Sequence, residues 1–184
     1  MTFFKPLANI VNFLNEKKIK YAIIGGIANS FYSEPRQTFD IDIKIVLNIN
    51  EDLEEFIKEI DKISKLLVNK PESFVKKTMV IPIEISDVKI DILIASLPYE
   101  INAINNPNLV DFEGLKINIL KADDIIIHKS ISEREKDWFD IKGIIRNKKN
   151  ILDWDYIVKN VKELSEWLGN SDFYNKLIDL KNEK

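Results

Sequence analysis

The chain has 184 residues, of which 45% are hydrophobic and 31% are charged, and its formal net charge is −3 at pH 7. This length can bury one core, no apolar run approaches the roughly 20 residues that span a bilayer, and the lack of cysteine excludes disulfides and thiolate metal sites. The acidic balance argues against a generally basic nucleic-acid coat protein. Because the sequence has neither cysteines nor a membrane-spanning run, we expect a cytoplasmic protein without membrane contact.

The N-terminal part predicts a helix and two strands joined by a glycine turn. Apolar residues follow a helical period over 6–18 and form a short strand over 21–24, which ends at Gly25-Gly26. A short helix is expected over 27–32, before Pro35. Residues 39–47 then alternate in polarity, which predicts a strand with one buried face. The buried face comprises Phe39, Ile41, Ile43 and Ile45, and the polar face comprises Asp40, Asp42 and Lys44.

The middle of the chain predicts one long helix and three more strands. Apolar residues keep a helical spacing over 51–67. Two paired strands follow, 79–85 and 88–94, with a turn near Ser86-Asp87, and another short strand is expected over 115–120.

The C-terminal part is helical in its pattern. Breaks are expected near Ser132 and over 147–150, and Asp153 and Ser171 are candidate helix N-caps. The sequence therefore predicts an α/β (α+β) fold, a mixed β-sheet flanked by helices over residues 1–120. A helical region, residues 121–184, is expected to pack on it.

Two aspartates on the strand after the glycines are the strongest chemical signal. Asp40 and Asp42 are two residues apart, so both carboxylates project from one face of the strand. Asp91 occupies the polar phase of another strand and completes a set of three if the strands are neighbours, with Asp87 as a less suitable rival in the turn. Carboxylates held this close suit Mg²⁺ or Mn²⁺. The alternative is a solvated strand face, because isolated Asp-x-Asp sequences are common.

Polar residues around the glycines are candidate phosphate ligands. Gly25 and Gly26 can bring backbone N–H groups close to anionic oxygens, although paired glycines also occur simply to permit a tight turn. Asn29 and Ser30 lie on the following turn, and Arg36 precedes the aspartates, where it can pair with them or bind phosphate. The spacing matches neither a P-loop nor a dinucleotide-binding motif.

A second charged cluster extends from Lys129 to Asp140. Residues 115–150 contain nine Lys and Arg against six Asp and Glu, a local positive excess that suits a triphosphate or an RNA backbone. A salt-bridged surface helix is the simpler interpretation. His128 is the only histidine of the sequence, which argues against a histidine-based metal centre and a Ser-His-Asp triad.

Together these residues resemble a known active-site pattern. Gly25-Gly26, then Arg36-x-Thr38-x-Asp40-Ile41-Asp42, then Asp91 is similar to the polymerase-β-like nucleotidyltransferase superfamily. Lys129 followed by Arg134-x-Lys136-Asp137-x-x-Asp140 is similar to a further motif of its AbiEii-type toxin branch. The resemblance covers about residues 20–145.

The resemblance implies a minimal nucleotidyltransferase fold and a set of roles. Asp40, Asp42 and Asp91 would be metal ligands, with Asp91 also orienting or deprotonating the acceptor. Gly25, Gly26, Asn29, Ser30, Arg36 and Thr38 would contact the nucleotide, and Lys129, Lys136 and Asp137 would act at the nucleotide or acceptor.

The resemblance also implies an activity and partners. An Mg²⁺- or Mn²⁺-dependent enzyme would transfer a nucleoside monophosphate from an NTP to a hydroxyl, most simply of RNA such as tRNA, with a protein side chain as the other acceptor. The toxin branch implies a role in toxin–antitoxin or phage-defence systems and an antitoxin protein as partner. Two rivals stay open: a non-catalytic nucleotide- or partner-binding module with this fold, and a phosphotransferase or nuclease using the same carboxylates.

Overall fold

The computed structural model describes residues 3–35 and 37–183, so the candidate Arg36 lies outside the described residues. The chain divides into two compact units. The sheet unit contains Met1–Ile27 and Gln37–Leu120, and the helical unit contains Ala28–Arg36 and Lys121–Lys184. Residues 28–36 thus group with the C-terminal helices, which their position in the sequence does not suggest.

A mixed seven-stranded sheet is the centre of the sheet unit in its described part, with the order β3-β4-β5-β2-β1-β7-β6. The strands are β1 (Tyr21–Ile23), β2 (Asp40–Ile45), β3 (Lys65–Leu66), β4 (Val80–Ile85), β5 (Val88–Ile94), β6 (Asn108–Phe112) and β7 (Leu115–Ile119). β2 pairs with β5 and β1 with β7 in parallel, and the other pairs are antiparallel. This confirms the predicted α+β fold with a mixed sheet.

The sheet unit also contains helical segments in its described part. They are α1 (Phe4–Glu16), the start of α2 (Gly25–Asn29), α3 (Leu53–Ile60), α4 (Pro71–Thr78) and α5 (Pro98–Asn105). The helical spacing of α1 buries Leu7, Ile10, Val11 and Leu14 completely. The core also contains isoleucines of the inner strands, among which Ile23, Ile43 and Ile92 have no solvent exposure.

Two predictions for the sheet unit are wrong. The helix predicted over 51–67 ends at Ile60 because Lys65 and Leu66 pair with Glu84 and Ile83 of β4, and tertiary strand pairing overrides the helical spacing there. Phe39 was predicted on the buried face but is 74% exposed, because β2 begins only at Asp40.

One further strand prediction is wrong, for Lys44, and one is confirmed, for the hairpin turn. Lys44 was predicted on the polar face, yet it is buried and forms an ion pair with Glu100. The predicted turn at Ser86-Asp87 is confirmed, with φ of 50° and 62° at its two residues. Positive φ at both central residues is the turn geometry that matches the twist of a two-residue hairpin.

The helical unit contains four α-helices in its described part besides the end of α2. They are α6 (Ala122–Ser130), α7 (Glu135–Lys148), α8 (Trp154–Leu168) and α9 (Asp172–Asn182), with a short 3₁₀ turn over Lys149–Ile151. The Asp153 side chain caps α8 by accepting a hydrogen bond from the Tyr156 N–H (3.0 Å), as predicted. Ser171 precedes α9 but makes no side-chain capping bond. No helix in the described ranges is long and apolar enough to cross a membrane.

Candidate active site

Three carboxylates lie on one face of β2 and β5. In the parallel pairing of these strands Asp42 is directly opposite Asp91, and Asp40 is opposite Lys89. All three aspartates are partly buried, and the alternate positions on the other face are buried isoleucines. The condition set by the sequence, that the Asp91 strand neighbours the Asp40 strand, is therefore met.

Gly25 lies against the carboxylate of Asp42. The chain leaves β1 and turns into α2 with a Gly25 φ of +63°, and the neighbouring Ile24 N–H donates to the Asp42 carbonyl (2.9 Å). A Cβ at Gly25 would lie 2.0 Å from Asp42 Oδ2 and 2.9 Å from its Cγ. Only glycine satisfies both the left-handed backbone and this close approach.

Gly25→Ala is expected to displace the Asp42 carboxylate as well as strain the backbone. The left-handed conformation alone costs roughly 1–2 kcal/mol with a side chain. Gly169→Ala is the matched control, because Gly169 has a φ of +67° and no atom within 4 Å of its added Cβ. Urea-induced unfolding should show a lower free energy of unfolding in both variants, and the decrease should be larger for Gly25→Ala. Equal losses would show that the approach to Asp42 is not the constraint.

Thr38 orients Asp40. Its hydroxyl donates to Asp40 Oδ1 at 3.0 Å, and a Cβ at Gly26 would lie 2.8 Å from Thr38 Oγ1. The second glycine therefore allows Thr38 to pack against the turn. Thr38 was assigned to the nucleotide, which stays a prediction, whereas the contact that the structure records is with the first aspartate.

Lys89 is the charged residue that sequence reasoning missed. Its Nζ lies 2.7 Å from Asp91 Oδ2 in a partly exposed ion pair. The hydrogen bond to Asp91 raises the pKa of Lys89, as do the charges of Asp91, Asp40 and Asp42, against an opposing effect of burial. Its position two residues before Asp91, in the same strand phase, is the signal that could have identified it.

The three carboxylates offer the oxygen ligands that a hard divalent cation prefers, but their side chains lie too far apart to bind one together in this arrangement. Carboxylate oxygens are the ligands that Mg²⁺ and Mn²⁺ prefer, and the Gly25 cradle leaves room for Asp42 where a Cβ would exclude it. Within residues 3–35 and 37–183, however, no three carboxylate or imidazole side chains stand close enough together to hold a metal. Lys89 balances part of the negative charge at Asp91 in this arrangement.

The Lys129 cluster is a buried network inside the helical unit. Helix α6 ends at Ser130 and α7 begins at Glu135, so Lys129 and Asp140 do not share one continuous helix face. Instead the Lys129 Nζ lies 2.7 Å from Asp137 Oδ1 and 2.7 Å from Asp140 Oδ2. The Lys129 side chain is 7% exposed and the two aspartates 1%. Its first role here is to neutralise two buried carboxylates.

Further hydrogen bonds hold the two aspartates of this network. Burial would raise the pKa of Asp137, but hydrogen bonds from Lys129, Ser132 and Arg134 and the Lys129 charge outweigh it and hold the pKa at about 2. The buried Asn29 donates from Nδ2 to Asp140 Oδ1 at 3.2 Å. The Oδ1 atom of Asn29 is buried without a hydrogen-bond partner among the described residues.

The structure thus gathers the predicted residues into two groups. The sheet unit contains Gly25, Gly26, Thr38 and the three aspartates. The helical unit contains Asn29, Ser30 and the Lys129 cluster. Lys136 is exposed on α7, and Ser30 is partly buried after α2. A direct contact of Lys129, Lys136, Asp137, Asn29 or Ser30 with substrate stays a prediction.

No protein-family model matches this sequence, and no curated protein matches it. Among solved structures, the fold is similar to an antigenic nucleotidyltransferase-like protein from Paracoccidioides brasiliensis, with a TM-score of 0.53 and 15% identity over 94% of this chain and 90% of that one.

Two proteins solved with an antibiotic or an adenylylated antibiotic bound have a similar fold. The lincosamide antibiotic adenylyltransferase LnuA, solved with lincomycin bound, has a TM-score of 0.53 and 18% identity over 77% of this chain and 95% of that one. ANT(2″)-Ia in complex with adenylyl-2″-tobramycin has a TM-score of 0.50 and 14% identity over 98% of both chains. The chain therefore has the fold that these nucleotidyltransferases share.

Proposed function

We propose that this protein is a metal-dependent nucleotidyltransferase that transfers a nucleoside monophosphate from an NTP to a hydroxyl acceptor and releases pyrophosphate. The observation that carries the proposal is the register that sets Asp42 beside Asp91, with Gly25 against the Asp42 carboxylate. The fold shared with nucleotidyltransferases supports it.

Asp40, Asp42 and Asp91 would hold Mg²⁺ or Mn²⁺, which when bound neutralises the triphosphate and favours ionisation of the acceptor hydroxyl. Thr38 keeps Asp40 in position through its hydroxyl. Gly25 lets the backbone approach the Asp42 carboxylate, and Gly26 lets it approach Thr38. The N–H groups of this turn would bind phosphate oxygens beside the carboxylates, and Arg36 would be a further phosphate ligand.

The acceptor oxygen attacks the α-phosphorus and forms the new P–O bond. The bond from that phosphorus to the oxygen bridging to the β-phosphorus breaks, and pyrophosphate leaves with the electron pair. Asp91 accepts the proton of the acceptor hydroxyl, so atoms and charge balance. Lys89 holds Asp91 from the neighbouring position of the same strand face.

RNA, in particular tRNA, is the acceptor class that we propose. Its support is the motif resemblance to the AbiEii-type toxin branch, which also implies an antitoxin partner. LnuA and ANT(2″)-Ia were solved with lincomycin and adenylyl-2″-tobramycin, so small antibiotics are the contrasting acceptor class. A protein side chain is the third.

Incubation with each α-labelled NTP, Mg²⁺ and either total RNA, an antibiotic panel or a protein extract tests the proposal. We expect label in RNA together with released pyrophosphate. Label in the antibiotic or in protein would support nucleotidyl transfer but would refute RNA as the acceptor. Transfer from a γ-labelled NTP, or shortened RNA, would identify a phosphotransferase or a nuclease instead.

A non-catalytic binding module is the second candidate. The Lys89–Asp91 ion pair and the absence of a grouped three-carboxylate set in the described residues favour it. Calorimetric titration with NTP and Mg²⁺ separates the two: binding without any transfer to the three acceptor classes supports the module.

A further inference from the structure

The outward face of α7 combines an aromatic side chain with positive charge. Phe139 is 70% exposed, and Lys142 and Arg146 follow it three and seven residues later, spacings that place all three along one side of a helix. Lys149 is exposed just beyond the end of α7. These four residues, termed here the α7 face, line one cleft of about 490 Å³ in the helical unit.

Burial makes this face more basic than the sequence count indicates. Asp137 and Asp140 lie near it in sequence but are buried and neutralised internally by Lys129, and the exposed Glu135 pairs with Lys176 at 3.6 Å. Arg146 pairs with Glu34 at 2.7 Å, so that pair adds little net charge. Lys142 and Lys149 have no carboxylate within ion-pair distance in the described part of the chain, and Glu183 is the other acidic residue lining the cleft.

A tight contact fixes the wall of the cleft. A Cβ at Gly143 would lie 2.3 Å from Ser33 Oγ, so the absence of a side chain lets residues 33–34 pack directly on α7. The buried Leu180 closes another side. Phe139 is therefore exposed on an α-helix, beside a depression, and not on a loop.

We propose that the α7 face binds single-stranded RNA, with phosphates at Lys142 and Lys149 and a base stacked on Phe139. An exposed aromatic side chain beside cationic groups suits a single strand, whose bases stack on the ring while its phosphates contact the cations. A membrane surface requires a continuous apolar face, whereas Phe139 is the one large exposed apolar side chain within α7. The identity of the ligand as RNA rests on the proposed function, but the binding requires neither NTP nor metal.

Fluorescence anisotropy with a labelled single-stranded RNA oligonucleotide, without NTP or divalent metal, tests the proposal. Lys142→Glu/Lys149→Glu should weaken binding at least about tenfold and reduce the slope of log K against log salt by about 1.4, since each single-strand phosphate contact contributes about 0.7. Phe139→Ala should weaken binding roughly fivefold or more while leaving the salt slope unchanged, because stacking carries no charge.

Lys58→Glu/Lys159→Glu is the matched control, since it changes the net charge equally at exposed lysines outside the face. An equal loss in this control would overturn the proposal, as would wild-type affinity in the α7 variants or no RNA binding by the wild-type protein. RNA binding without nucleotidyl transfer would refute only the proposed function. Transfer to RNA that the α7 variants leave unchanged would refute only the proposal that the α7 face binds RNA. Tighter binding of an acidic peptide or of anionic vesicles than of RNA would also contradict it.

Discussion

Asp42→Asn is expected to lower the rate of nucleotidyl transfer by about a thousandfold or more. The substitution keeps the shape of the side chain against Gly25 but removes the charge that would hold a divalent cation, and cation stabilisation of a phosphoryl transition state is worth several kcal/mol. Transfer from an α-labelled NTP, measured at saturating Mg²⁺, gives the rate directly.

Asp87→Asn is the control for this prediction. Asp87 lies in the hairpin turn between β4 and β5 with a φ of +62°, a conformation that asparagine tolerates. It should retain activity within about twofold, and both variants should keep the wild-type circular dichroism spectrum. A fully active Asp42→Asn protein would remove the carboxylate set from the mechanism.

Lys129→Met is expected to destabilise the protein by about 3 kcal/mol. Removing one partner of a buried ion pair leaves an uncompensated charge, which costs roughly 3–5 kcal/mol. Arg134 still contacts Asp137 in the variant, so the loss falls chiefly on the buried Asp140, which keeps the Asn29 amide. Urea-induced unfolding monitored by tryptophan fluorescence measures the change.

Lys136→Met is the matched control on the same stretch of sequence, because Lys136 is exposed. Its free energy of unfolding should change by no more than about 0.5 kcal/mol. If Lys129→Met and Lys136→Met behave alike, the buried network does not stabilise the helical unit and a direct catalytic role of Lys129 becomes the better interpretation.

The same network predicts the sign of an acid dependence. The pKa of Asp137 is about 2 in the folded protein against an ordinary 3.8, so the unfolded state binds the proton more readily. The stabilisation, about 2 kcal/mol, is present above pH 4 and is lost as the pH falls from about 4 to 2. In Lys129→Met the pKa of Asp137 in the folded protein should rise, so this acid-dependent stabilisation should become smaller.

Much of the strand and helix pattern could be predicted because periodicity reports burial directly. The polar–apolar alternation over β2 and the pairing of β4 and β5 through their turn were predicted in this way. The errors have tertiary causes: the spacing of Leu66 and Leu67 continues a helical period, but β4 pairs with that segment. The short helices α4 and α5 and the edge strand β6 were missed, since elements this short carry few periodic residues.

The candidate site divides in the same way. Asp40 and Asp42 could be identified from one strand, and the phase of Asp91 from another, but their adjacency depends on the β2–β5 pairing. The simpler interpretation of the Lys129 cluster, a salt-bridged surface helix, is wrong because Lys129, Asp137 and Asp140 are buried, whereas the break expected near Ser132 is confirmed between α6 and α7. That break turns Lys129 toward Asp137 and Asp140, a contact that local spacing cannot indicate.

A crystal structure with Mn²⁺ and a non-hydrolysable NTP analogue tests the central claim most directly, because anomalous scattering locates the metal without reference to activity. We predict manganese bound by Asp40 and Asp42, with Asp91 at its side and the triphosphate against Gly25 and Gly26. Nucleotide bound elsewhere, or manganese absent from these carboxylates at saturating concentration, would contradict the account.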